Sequence, residues 1–152
     1  MWKRRIGQLA YVWSGAKAAR QPAWTVRVRV DGAKWFKGEA SCILVANVGT
    51  LSGGITAFRD ARPDDGRLEV GVVTADGMLQ WARVLGRMVA GQAERSPLVE
   101  TTTATEVDVR FASKVPYELD GGERPAAKRL RVAIEPAAIQ VCVPTPTKKK
   151  AP

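Results

Sequence analysis

The residue pattern predicts a mainly β fold. It reads as an antiparallel β-sandwich of about eight or more strands, with one embedded helix and an N-terminal helix. Three observations carry that expectation. Apolar and polar residues alternate with period two along most of the chain between residues 23 and 144. Asp-Gly and Pro-containing turn signals cut the alternation into short runs. Only the stretches 2–19 and 78–89 carry helical spacing.

Each element follows in order. Trp2, Ile6, Leu9 and Trp13 fall at i, i+4, i+7 and i+11, one face of a helix. That helix could pack on the sandwich or lie in a membrane interface. The alternation at 24–31 places Val26, Val28 and Val30 on one face, and Asp31-Gly32 makes a hairpin turn. A strand over 34–37 leads to the apolar run 41–48, which reads as a central strand. Pro63-Asp64-Asp65-Gly66 is a strong turn before a strand at 68–74. Met78, Trp81, Ala82, Leu85, Met88 and Val89 form a helical stripe, with Asp76 placed to cap it and Gly91 to end it. Strands are expected at 98–104, 106–111, 115–119, 130–135 and 138–143. The organisation is thus a helix and linker at 1–22, the sandwich at 23–144 and a disordered basic tail at 145–152.

Composition excludes several chemistries. The chain has 152 residues, one domain's length, and no histidine, which removes Ser-His-Asp and Cys-His nucleophile pairs and His-ligated zinc. Acid–base chemistry must rest on carboxylates, Lys, Tyr or Cys. Cys42 and Cys142 form no metal-binding pair; two reduced, buried thiols fit better than a single bridge. No apolar run reaches the roughly 20 residues of a membrane span, so a cytoplasmic protein is expected. The net charge of +9 gathers at the two ends, at Lys3, Arg4, Arg5, Lys17 and Arg20 and at Lys148, Lys149 and Lys150. The middle reads as nearly balanced, without the basic, aromatic-interleaved groove of a nucleic-acid reader, so no nucleic acid is expected.

Three patches could carry chemistry. The stretch 47–54, with Asn47, Gly53 and Gly54, is glycine-rich but lacks the Gly-Lys-Ser/Thr end of a P-loop. Asp64-Asp65-Gly66 could offer oxygens to a hard cation, or be turn chemistry alone. Glu118, Asp120 and Glu123 crowd one hairpin, where a carboxylate could accept a hydroxyl proton or hold a metal, or simply face solvent.

Taken in order, the motifs resemble a known family. They are Gly7-x-Leu9-Ala10-Tyr11, Asn47 followed by Gly53-Gly54, Pro63-x-Asp65-Gly66-x-Leu68-x-Val70, Asp120-Gly121 followed by Glu123, and Glu135-Pro136-x-Ala138-x-x-Val141-x-Val143-Pro144. The order resembles the C-terminal domain of the bacterial diacylglycerol kinase/sphingosine kinase family of lipid kinases. The resemblance implies a β-sandwich that closes over a cleft and contributes to the lipid site. The Gly-Gly-Asp-Gly-Thr nucleotide loop of such kinases, which lies in their N-terminal domain, is absent here. The chain is therefore expected to be a fragment, a truncated product or a subunit, inactive alone.

The same resemblance assigns Glu123 as the base for the lipid hydroxyl with Asp120 supporting it, though two glycines separate them here where the family has one. It assigns Asp65, with backbone oxygens of Arg62 and Arg67, to a structural Mg2+ site, and the Asn47, Gly53 and Gly54 loop to the nucleotide side. It implies ATP and Mg2+ as cofactors. The implied partners are a diacylglycerol-like or sphingoid lipid, an N-terminal nucleotide-binding domain and a second copy in a homodimer. The implied location is the inner face of an anionic membrane. A competing expectation is a non-catalytic sandwich module that binds anionic membrane or a protein through its basic ends.

Overall fold

The structure, a computed structural model, describes residues 22–51, 55–140 and 142. The expected helix at 2–19, the tail at 145–152, Gly53 and Gly54 lie outside the described residues. In chain order the elements are β1 (Trp24–Val30), β2 (Ala33–Ala40), β3 (Cys42–Ala46), β4 (Thr50–Leu51), β5 (Ile55–Thr56), β6 (Leu68–Val73), α1 (Gly77–Val89), β7 (Val99–Ala104), β8 (Glu106–Leu119) and β9 (Gly122–Ala133). A short 3-10 turn, Ala93–Arg95, follows α1.

Two antiparallel sheets share one core. The first has the order β2-β1-β8-β9 and the second β3-β6-β7, while β4 and β5 form a two-residue pair. Period-two alternation makes the core: Val26 and Val28 of β1 and Val107 and Val109 of β8 meet Leu68, Val70 and Val72 of β6 and Ala104 of β7. Each buried valine stabilises the fold by about 1.5 kcal/mol or more. The intervening residues of the first sheet point to solvent.

The second sheet is covered on its other face too, in three rows. Cys42, Val73 and Val99 are register partners beneath α1, where Trp81 and Val84 complete a second apolar cluster. Leu44, Gly71 and Thr101 form the next row, and the Phe58 ring lies against Gly71, where an added Cβ would sit 3.2 Å from it. Ala46, Glu69 and Thr103 form the last.

Two turn and cap expectations hold in their physical detail, and two about α1 hold only in part. Asp31 (φ 49) and Gly32 (φ 81) are both left-handed, as a two-residue hairpin with the strands' own twist requires. Gly91 (φ 65) ends α1: its amide donates to Met88 and the Gln92 amide to Arg87, satisfying the last carbonyls of the helix. Asp76 occupies the cap position, but its side chain makes no capping bond; its amide instead donates to Gln80 Oε1 at 2.9 Å. The buried stripe of α1 centres on Trp81 and Val84, leaving Met78, Leu79 and Val89 exposed.

Four expectations are corrected. Among the described residues the main sheets hold seven strands, not eight or more, because 106–111 and 115–119 belong to one strand, β8. The register irregularity between Arg110 and Tyr117 bends β8 without ending it, and no Gly or Asp-Gly signal interrupts it. The strand expected at 138–143 does not form over 138–140: Ala137 turns left-handed (φ 56) after Pro136, and Ile139 is 81% exposed. Among the described residues the apolar run 41–48 is not central; β3 lies at the edge of its sheet, paired with β6 alone, and it is apolar because both of its faces are covered. Finally, Cys142 is exposed rather than buried, and both thiols are free. Burial between sheet and helix pushes the Cys42 thiol up to about 11.

Candidate functional site

The Asp65 turn sits where the loop 57–67 enters β6. Gly66 takes a left-handed φ of 71, and the Arg67 amide donates to Asp65 Oδ1 at 2.9 Å, closing the turn on itself. Arg67 Nε then donates to Thr103 Oγ1 at 2.9 Å, tying the turn to β7. Arg62 pairs with Asp64 at 3.5 Å in solvent. Behind the turn, burial pushes the Glu69 carboxyl above the usual range, and the charges of Asp65, Glu94 and Asp60 push it further. Among the described residues no three carboxylate or thiol side chains converge as a metal cage. Of the residues expected at a cation site, Asp65 offers one carboxylate, whose Oδ1 already accepts the Arg67 amide, and Arg62 and Arg67 lie in the same turn.

The Asn47 loop adjoins this end of the second sheet. Asn47 is exposed immediately after β3. The residue that shapes the loop is one the motif did not single out. The Gly49 carbonyl accepts from the Ala57 amide at 2.9 Å and the Phe58 amide at 3.2 Å. A Cβ at Gly49 would lie 2.1 Å from the Phe58 carbonyl oxygen, so the fold-back requires glycine. Beyond it, Arg59 Nη2 donates to the Gly91 carbonyl at 2.6 Å, fastening the loop to the end of α1.

The third patch is the tip of the longest hairpin. Asp120 (φ 50) and Gly121 (φ 79) form a two-residue turn, and Leu119 pairs with Gly122. The second glycine is therefore the first residue of β9, and Glu123 stands opposite Glu118. Like charges face each other there, flanked by the Tyr117–Arg124 pair. Glu118, Asp120 and Glu123 are all exposed, so either Asp120 or Glu123 could take a proton from a hydroxyl presented by a closing surface.

The structure sets the Asp120 tip apart from the other two patches, which adjoin at one end of the second sheet. The Asp65 turn lies near the Glu106 end of β8, where Arg67 acts on Asp31, which binds Thr105 and Glu106. The Asp120 tip follows the other end of β8, roughly 40 Å of extended chain away. A cation at Asp65 would brace the fold, and a base at the hairpin tip would act far from it.

Three solved structures from Bacillus anthracis str. Sterne share this fold. Against a candidate diacylglycerol kinase the chain superposes with a TM-score of 0.64 at 16% identity, covering 80% of this chain and 41% of that one. A second candidate diacylglycerol kinase gives 0.60 at 20% identity, over 88% of this chain and 49% of that one. A third structure, a diacylglycerol kinase, gives 0.60 at 17% identity, over 90% and 50%. The chain spans half of their length or less. No curated protein matches the sequence. Residues 1–143 match the family described as the YegS C-terminal NAD kinase beta sandwich-like domain, and the chain belongs to that family. The resemblance carried by the Asn47, Asp65 and Asp120 motifs is thereby borne out.

Proposed function

We propose that the chain is the C-terminal half of a lipid kinase that passes the γ-phosphoryl group of ATP to a lipid hydroxyl. The observation that supports this reading is the family match over residues 1–143, nearly the whole chain. In this reading an N-terminal nucleotide-binding domain holds most of the ATP, with the loop of Asn47, Gly53 and Gly54 along its edge. Glu123, supported by Asp120, takes the hydroxyl proton as the oxygen attacks, and positioning supplies much of the remaining acceleration. Mg2+ would be held by Asp65 and the main-chain oxygens of Arg62 and Arg67, where its charge would offset the crowded carboxylates around Glu69. The lipid, diacylglycerol-like or sphingoid, would be met at the inner membrane face.

The test is reconstitution. The purified chain with ATP, Mg2+ and diacylglycerol vesicles should give no phosphorylated lipid. Adding a family N-terminal domain that carries Gly-Gly-Asp-Gly-Thr should give it. In that pair Glu123→Gln should lower turnover by roughly 10²–10⁴, the usual worth of a general base. Lipid phosphorylation by the chain alone, or none by the pair, would overturn the reading; near-wild-type turnover in the variant would remove Glu123 from its role.

A further inference from the structure

The outer face of the first sheet carries a charge pattern that neither the motifs nor the family match uses. Because the valines of β1 face the core, Arg27 and Arg29 between them face outward. The register then lines cations across all four strands. Lys37, Arg27, Arg110 and Arg129 form one row. Lys34, Arg29, Asp108 and Arg131 form the next. Seven of these eight positions are cationic, and neighbouring strands set them roughly 4.8 Å apart.

The acids beside the arginines of β8 and β9 are already engaged, while Glu39 stands opposite Thr25, beyond the Lys37 row. Asp108, whose side chain is 12% exposed, takes Arg129 at 2.8 Å and Arg110 at 3.3 Å, while Glu106 takes Arg131 at 2.8 Å. Among the described residues Arg27, Arg29, Lys34 and Lys37 make no ion pair. Like charges on adjacent strands destabilise a sheet. Four of them left together around one cleft therefore ask for an anion. That cleft has a volume of about 370 Å³, within the range of small-ligand sites, and is lined by Arg27, Arg29, Lys34, Trp35, Lys37 and Arg110.

We propose that this cleft binds a phosphorylated ligand bearing at least two negative charges on one headgroup. The guanidinium forks of Arg27 and Arg29 on β1 match phosphoryl oxygens in pairs, and the lysines on β2 add point charges beside them. The half-buried Trp35 supplies an apolar wall for the group that carries the phosphate. Asp108 at the cleft's margin can accept a hydrogen bond from a hydroxyl, which favours a phosphorylated polyol over a bare apolar phosphate. The phosphoryl group could come from a soluble metabolite or from a phospholipid headgroup, and the site stands whether or not the kinase reading holds.

The experiment measures binding of the full chain to two probes: inorganic pyrophosphate by calorimetry, and phosphatidylcholine vesicles with and without phosphatidate by co-sedimentation. Arg27→Gln/Arg29→Gln removes two cleft charges. Lys34→Gln/Lys37→Gln removes the point charges on β2 as an independent reading. Arg83→Gln/Arg95→Gln, on and after α1, removes the same charge elsewhere. Binding to pyrophosphate that weakens about tenfold or more in both cleft variants and not in the control supports the site with a soluble ligand. The same pattern on phosphatidate vesicles alone supports it with a headgroup, and on both probes supports it irrespective of carrier. Binding to neither probe, or equal weakening in cleft and control variants, overturns it.

Discussion

Gly49 shows how much one missing methyl group can hold. Its carbonyl receives two amides of the returning loop, and its Cα lies so close to the Phe58 backbone that no side chain fits. The returning segment places the Phe58 ring on Gly71, and together these close the middle of the second sheet. Gly49→Ala should therefore destabilise the chain by about 1–3 kcal/mol, the usual effect of overpacking where the obstacle is backbone. Urea unfolding checks it; an unchanged midpoint would mean that the loop does not rest on this contact. In the sequence Gly49 stands only as a break in an apolar run, because the contact that requires it comes from a residue beyond the next turn. Asp31-Gly32 and Asp120-Gly121, by contrast, are legible, since a two-residue turn is decided by the residues within it.

Among the elements, the turn before β6 is held by its own Asp65–Arg67 bond and by Arg67 on Thr103. Burial and the neighbouring carboxylates hold the Glu69 proton affinity up, so charged Glu69 costs stability at neutral pH. In the proposed reading a divalent cation at Asp65 would relieve that cost. Mg2+ should raise the thermal midpoint at neutral pH, and Asp65→Asn should abolish the increase while leaving the metal-free fold intact. The same increase in the variant would place the cation elsewhere.

The strands and α1 were legible because each repeats a local period that burial then enforces. Less legible was which strand is central, since β3 reads as apolar on both faces whether it is covered by strands or by α1 and Phe58. The cationic face was missed for a related reason. Val-Arg-Val-Arg-Val announces a strand, but only the register with β2, β8 and β9 turns single arginines into rows. At the candidate site, the Asp120–Glu123 hairpin and the Asp65 turn could be read as turns. Their separation along β8 could not be read, because continuity between 111 and 115 depends on pairing with β9.

At the scale of the molecule, the chain passes between the two sheets through one-residue junctions, Ser41 between β2 and β3 and Thr105 between β7 and β8. Asp31 Oδ1 accepts from the Thr105 amide at 2.8 Å, its hydroxyl at 2.7 Å and the Glu106 amide at 2.9 Å. Those bonds hold the Asp31 carboxyl below its ordinary 3.8, with the Thr105 hydroxyl the largest cause. A lowered folded value stabilises above the unfolded value, and that contribution is lost as pH falls through the folded one. Asp31→Asn should therefore lower the thermal midpoint at neutral pH, with the gap to wild type closing below about pH 4. A gap that stays constant into strong acid would assign the effect to something other than the carboxylate charge.

The Asp31 clamp also bears on the order in which the chain assembles. Its partners are 74 and 75 residues away in sequence, so the loop it closes contains all of the second sheet and α1. Bringing those ends together costs chain entropy before any bond rewards it, which places the clamp late, after each sheet has found its own hairpins. A contact absent from the transition state governs escape more than entry. The clamp is then a latch at the end of the β1–β8 pairing: it slows the parting of those two strands while leaving the rate at which they meet almost untouched.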